Sequence, residues 1–231
     1  KLPRLYTRLE LKAIRGLHFD LMLKTDIIWP VLKDDWDKIF SENREFSPLN
    51  EIFLGKLLSR IGETAGKEFK TVIDLGAGTG DSAIKFANRG LLVQGLDWSE
   101  TALTKATEAI KKLGLEERIS LTQMDLENID QEQIIYKPAD ILFSKLTYAF
   151  IKNRDKLLDN IKSLMSPESA FVLMTPTTYK GVNYGKNDKS EIAVDWDDTL
   201  KLLNAKFAKI EVFHHGYFGE RGDLVTFITT K

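Results

Sequence analysis

The 231-residue sequence has no cysteine. That absence removes disulfides, thiolate nucleophiles and sulfur-ligated metals from the chemistry open to it. A reducing compartment agrees with it, and the cytoplasm is the expected location. Histidine is scarce, at three residues. Two of them are adjacent, His214-His215, and neighbouring residues of a strand point to opposite faces, so the pair is expected to have a packing or surface role rather than to hold a metal. No apolar run approaches the roughly 18 residues that cross a bilayer. No signal-peptide pattern opens the chain, and a first residue that is Lys rather than Met reads as a processed or trimmed start. An excess of one charge is missing as well: 33 Lys and Arg face 34 Asp and Glu. No global field therefore draws the molecule to nucleic acid or to an anionic membrane. A local basic patch (Lys1, Arg4, Arg8, Lys12, Arg15) stands near the start and reads as a solvated helix face.

What is present is an ordinary globular composition, 43% hydrophobic and 29% charged, in a chain long enough to bury a substantial core. From residue 71 onward, short apolar runs alternate with amphipathic helical segments, the pattern of a largely parallel sheet covered on both faces. Strands are expected at 71–75, 91–97, 119–125, 139–146, 169–176, 206–215 and 223–230. Helices are expected after the glycines at 76–80 and at 99–114, 153–165 and 194–205. Ser99 suits the N-cap of the second helix and Gly114 its end. The link "GYFGERG" between the last two strands is too short for a crossover helix, so those strands should pair antiparallel.

Residues 1–66 have a different character. "LELKAIRGLHFDLML" and "DWDKIF" read as helical, and "SPLNEIFLGKLLSRIG" (47–62) offers Ser47 as N-cap with Pro48 in the first turn. The expected organisation is an N-terminal helical cap over residues 1–46 and an α/β domain over 47–231.

The stretch "VIDLGAGTG" (72–80) carries the chemistry. A strand that ends in glycines and leads into a helix can hold several ligands. A nucleoside triphosphate would need Gly-Lys-Ser/Thr at its end, where Asp81 and Ser82 stand instead. A dinucleotide would need a third glycine at position 81; a carboxylate there faces the pyrophosphate with the wrong sign. A ligand that bears an ammonium and a sulfonium and no phosphate reverses that sign and suits Asp74 and Asp81.

Here the chain resembles the class I S-adenosylmethionine-dependent methyltransferases, whose first motif is an acid followed by alternating glycines, matched by Asp74, Gly76, Gly78 and Gly80 with Ala77 between. The likeness continues in order. "GLDWSE" puts Asp97 at the end of the second strand, where the family has its ribose acid, and Trp98 after it, against the adenine face. "TQMDLEN" ends the third strand, with Asp125 at the acid that accepts the adenine amino group and the Leu126 backbone beside adenine N1. "ADILFSKLTYAF" matches the fourth strand, so that Ser144 to Tyr148 face the reaction. The resemblance covers about residues 47–231 and implies a doubly wound, mostly parallel seven-stranded sheet with a closing antiparallel hairpin.

By that resemblance the cofactor is S-adenosylmethionine, bound by Asp74, Gly76, Ala77, Gly78, Asp97, Trp98, Asp125, Leu126 and Ser144. The fourth strand lacks the Asn/Asp-Pro-Pro-Tyr/Phe signature of members acting on adenine, cytosine or glutamine. Ser144 stands where metal-assisted relatives have an aspartate, so no metal is expected. Methyl transfer to an oxygen or nitrogen of a small molecule is a direct displacement that needs a base only if the nucleophile arrives protonated. The candidates are Tyr148, Lys145 and His18. Residues 1–46 and the polar insert 177–196 would enclose the acceptor. Methylation of RNA or protein, and a non-catalytic cofactor-binding subunit, are the alternatives.

Overall fold

Four of the five residues of β1 (Thr71–Leu75) are fully buried, as expected of a strand covered on both faces. The computed structural model describes residues 33–43, 46–65, 67–182, 192–217 and 223–231. The predicted helix over 9–23, His18 and residues 183–191 of the insert lie outside the described residues. Among the described residues two helices precede β1, α1 (Lys33–Ser41) and α2 (Glu51–Ala65). After it come α3 (Asp81–Ala87), β2 (Leu92–Asp97), α4 (Glu100–Lys112), β3 (Ile119–Gln123), β4 (Ala139–Lys145) and α5 (Arg154–Ser163). The chain continues with β5 (Met165–Thr178), β6 (Val194–Asp195), α6 (Trp196–Lys206), β7 (Lys209–Tyr217) and β8 (Asp223–Thr230).

The sheet runs in the order β3-β2-β1-β4-β5-β8-β7, with the short β6 on β5. Neighbours from β3 to β5 are parallel, and β8 is antiparallel to both β5 and β7. The order reverses at β1 and β4, and ligands of open α/β sheets bind beyond the strand carboxyl ends at such a point. A single carboxylate ties the other ends of these two strands. Asp140 at the start of β4 accepts from the Lys70 and Thr71 amides (2.9 and 3.0 Å) and pairs with Lys67 at 2.8 Å.

Alternation along β1 divides the core. Ile73 and Leu75 join one layer with Leu157, Leu158 and Ile161 of α5. Val72 joins the opposite layer with Leu54, Leu57 and Ile61 of α2, Phe86 of α3 and Ile110 of α4. Phe86 meets Phe143 of β4 edge to face at 5.1 Å.

The seven expected strands all form, and the hairpin is antiparallel as expected. Of the boundaries that differ, three have identifiable reasons. Helix α2 starts at Glu51 rather than after Ser47, because Asn50 Oδ1 accepts the Phe53 amide at 2.9 Å. Residues before it are held elsewhere: the Ser47 carbonyl accepts from Lys145 and the Leu49 amide donates to Asp81. The segment read as helix from 194 begins at Trp196, capped by Asp195, and Val194–Asp195 form an eighth, two-residue strand. β3 stops at Gln123, and Asp125 caps a 3₁₀ turn, Leu126–Asn128. Ser99 caps α4 as expected, accepting from the Ala102 amide at 3.1 Å, and Gly114 ends it with a φ of 66°.

Candidate active site

The turn after β1 is built from backbone conformations that side chains resist. Gly76, Gly78 and Gly80 have φ of 83°, 53° and 86°, in the left-handed region that glycine adopts at little cost. At Gly76 space decides as well, since a Cβ would lie 2.1 Å from Thr147 Oγ1. The turn rests on the end of β2: the Gly76 and Ala77 amides both donate to the Leu96 carbonyl, at 2.8 and 3.0 Å. Asp97 completes the arrangement. Its Oδ2 accepts the Gly78 amide at 2.8 Å and its Oδ1 the Ser99 amide at 2.9 Å. Burial pushes the Asp97 carboxyl upward, and the Ser99, Gly78 and Trp98 amides oppose that.

Above the turn lies a cavity of about 340 Å³. Seven residues anticipated from the sequence line it together: Gly76, Ala77, Gly78, Asp97, Trp98, Asp125 and Leu126. They come from the ends of β1, β2 and β3. Asp125 is locally committed, since it accepts from the Glu127 amide and the Asn128 side chain at 2.9 and 2.6 Å. Asp74 and Ser144 are buried at 1% and 2% exposure and do not line the cavity; they lie in β1 and β4 beneath it.

Asp74 belongs to a group of charges under the turn. Burial pushes its carboxyl up to about 7, with Lys145 opposing and the Asp81 and Asp97 charges adding. Its Oδ2 has no hydrogen-bond partner among the described residues. Lys145 ends β4 and lines the cavity. Burial lowers its pKa, although Asp81 and Asp74 act to raise it. Its Nζ donates to the Ser47 carbonyl at 2.6 Å. Asp81, in the first turn of α3, accepts from the Leu49 amide at 2.7 Å and pairs with Lys85.

The base candidates are thus separated by position. Lys145 faces the cavity. Tyr148 is fully buried, its hydroxyl has no partner among the described residues, and it does not line the cavity. Burial pushes its phenol up to about 12, the wrong direction for a base at neutral pH. His18 lies outside the described residues.

The opposite wall is aromatic and comes largely from the segment before α2. Trp36 and Phe40 of α1, with Phe46, line the cavity together with Leu146 and Phe150 that follow β4. Trp36 meets Phe150 edge to face at 4.8 Å and lies 5.6 Å from Phe46. Leu146 has a φ of 61°, a left-handed conformation that costs a non-glycine residue about 1–2 kcal/mol. Trp36 and Phe40 were expected in a cap. Thr147 falls in the stretch expected to face the reaction, whereas Phe46, Phe150 and Lys152 were not singled out, since in the sequence they look like ordinary loop or packing residues.

Residues 67–213 match the family model of a methyltransferase domain, which is more than half of the chain. No curated protein matches the sequence. Solved structures share the fold at low identity. The plantazolicin methyltransferase BamL, in complex with a triazolic desmethylPZN analog and S-adenosylhomocysteine, is 17% identical with a TM-score of 0.63, over 87% of this chain and 95% of that one. A methyltransferase from Aquifex aeolicus described as S-adenosylmethionine-dependent is 16% identical with a TM-score of 0.58, over 79% of this chain and 100% of that one. The [4+2]-cyclase SpnF is 13% identical with a TM-score of 0.60, over 75% and 78%. A cyclase among the neighbours means that the fold alone does not define the reaction.

The family match supplies what the fold does not. The chain belongs to the methyltransferase-domain family and is a class I S-adenosylmethionine-dependent methyltransferase. The lining fits that cofactor: the glycine turn is bordered by Asp81, Asp97, Asp125 and Glu127, which suits a cationic ligand without phosphate. No helix among the described residues is long and apolar enough to cross a membrane.

Proposed function

We propose that this methyltransferase acts on an oxygen or nitrogen of a small-molecule acceptor enclosed beside the cofactor. The observation that carries the proposal is the aromatic wall. Trp36, Phe46, Phe150 and Leu146 border the same cavity as the glycine turn, and pockets for small ligands are mostly apolar with few polar groups. In this reading residues 1–46 cover the acceptor and residues 47–231 form the cofactor-binding unit.

The cofactor supplies an electrophilic methyl group on a sulfonium. The chain's own residues bind and align. Asp97 would accept from the ribose hydroxyls with the lone pairs that the Gly78 and Ser99 amides leave free. Trp98 would lie along the adenine, Asp125 would accept a hydrogen bond from its amino group, and the Leu126 backbone would stand beside its ring nitrogen. The backbone of Gly76, Ala77 and Gly78 would hold the methionine portion, with Asp74 in β1 beneath the turn. The aromatic wall excludes water and orients the acceptor. Lys145 takes the proton of a protonated nucleophile, because it is the base candidate on the cavity and burial lowers its pKa.

The experiment is transfer of a labelled methyl group from S-adenosylmethionine to small molecules extracted from cells, run beside total RNA and protein as acceptors. Label in an extractable small molecule is the expected result. Label confined to RNA or protein overturns the proposal.

A further inference from the structure

Asp37 lies outside the segment that the family model matches, yet it reaches the cofactor side of the cavity through two hydrogen bonds. Its Oδ1 accepts the Ser99 hydroxyl at 2.5 Å and the Thr101 amide at 3.1 Å. Ser99 is fully buried and is committed on every side. Its hydroxyl oxygen accepts the Ala102 amide at 3.1 Å, and its amide donates to Asp97 Oδ1 at 2.9 Å. A serine hydroxyl has one proton and two lone pairs. With the proton drawn to Asp37, a lone pair is turned to Ala102.

The first turn of α4 therefore has its Thr101 amide satisfied by Asp37 and its Ala102 amide by Ser99. These would otherwise be unpaired donors of a helix start, and the carboxylate has the favourable sign there. The far end of α1 is tied to the same helix: Lys105 of α4 donates to the Phe40 carbonyl and, at 2.7 Å, to Asn43 Oδ1. One helix thus presents Trp36 and Phe40 to the cavity and Asp37 to the residue that orients Asp97.

We propose that Asp37 is a positioning residue of the cofactor site: by holding Ser99 it fixes the Asp97 carboxylate, so that docking of α1 and binding of the cofactor strengthen each other. The inference rests on the reading that Asp97 holds the cofactor. By linkage, whatever coupling α1 exerts on the cofactor, the cofactor exerts on α1.

The test titrates the full chain with S-adenosylhomocysteine by calorimetry and measures KM for S-adenosylmethionine and kcat. Asp37→Ala should raise both Kd and KM by about three- to tenfold, below the loss expected for a direct charged contact, with kcat at saturating cofactor little changed. Asp37→Asn retains an oxygen at the Oδ1 position and should restore most of the affinity. Lys105→Met removes the other tie between α1 and α4 without touching Ser99, and should change Kd less than Asp37→Ala does. If Asp37→Ala does not fold, Asp37→Glu, which displaces the carboxylate by one methylene, should show the same rise. An unchanged Kd in folded Asp37→Ala or, where that variant does not fold, in Asp37→Glu, or an equal loss in Lys105→Met, overturns the inference. Failure of the wild-type chain to bind S-adenosylhomocysteine instead overturns the reading on which it rests.

Discussion

Thr147 fills the space that a side chain on Gly76 would need, with its Oγ1 2.1 Å from the position of a Cβ. The end of β4 is thereby packed directly against the glycine turn. Gly76→Ala should cost about 2–5 kcal/mol, the sum of a left-handed alanine and an overpacked contact. Adding Thr147→Gly should recover the contact but not the backbone part. Urea denaturation of the two single variants and the double variant checks this, and simple additivity of the two losses would contradict it.

Asp97→Ala should weaken binding of S-adenosylhomocysteine by about 1.5–3 kcal/mol, the scale for hydrogen bonds to a charged group. The Gly78 and Ser99 amides also lose their acceptor, so the melting temperature should fall as well. Calorimetry beside a thermal melt separates the two effects. Unchanged affinity would remove Asp97 from the cofactor site.

Lys145→Met should lower turnover by about 100-fold or more, the usual contribution of a general base, with little change in Kd for the cofactor. In the wild-type chain, turnover should rise with pH through a limb below the ordinary lysine range, because burial lowers the Lys145 pKa. A pH-rate profile unaltered by the substitution would exclude Lys145 as the base.

His215 makes the protein sensitive to acid. Burial, followed by the neighbouring His214, pushes its pKa down to about 4, against about 6.5 in an unfolded chain. Between these values the unfolded chain binds the proton and the folded one does not, so stability is full above pH 6.5 and lost as pH falls toward 4. The linked loss is up to about 3 kcal/mol. His215→Gln should flatten the dependence, and denaturation midpoints at pH 7 and 4.5 give the comparison. The ring lies edge to face with Phe53 at 4.5 Å and within 2.8 Å of Thr226 Oγ1, so this histidine packs, as its position in a strand suggested.

The cofactor half of the site was legible because its determinants are local. Glycines with forced φ, an acid at a strand end and Ser99 as a helix cap each leave a mark within a few residues, and their order along the chain is the order of strands in the fold. The opposite wall depends on partners far away in sequence. "DWDKIF" reads as a helix, but nothing near it says that Asp37 meets Ser99 at a separation of 62 residues. Ser47 looks like a better cap than Asn50 until Lys145, 98 residues away, takes its carbonyl. β6 was missed for the same reason: two residues have no periodicity, and their pairing is dictated by Thr177 and Thr178 of β5.

The sheet order also has a meaning for synthesis. β8 is the last of the eight strands to leave the ribosome, yet it sits between β5 and β7, and six of its eight residues are buried. Until it arrives, the nascent chain carries two bare strand edges, which are templates for pairing with other chains. Every residue assigned to the cofactor has already emerged by then. A product cut short before residue 223 should therefore be prone to aggregation or proteolysis even though its glycine turn and acids are intact.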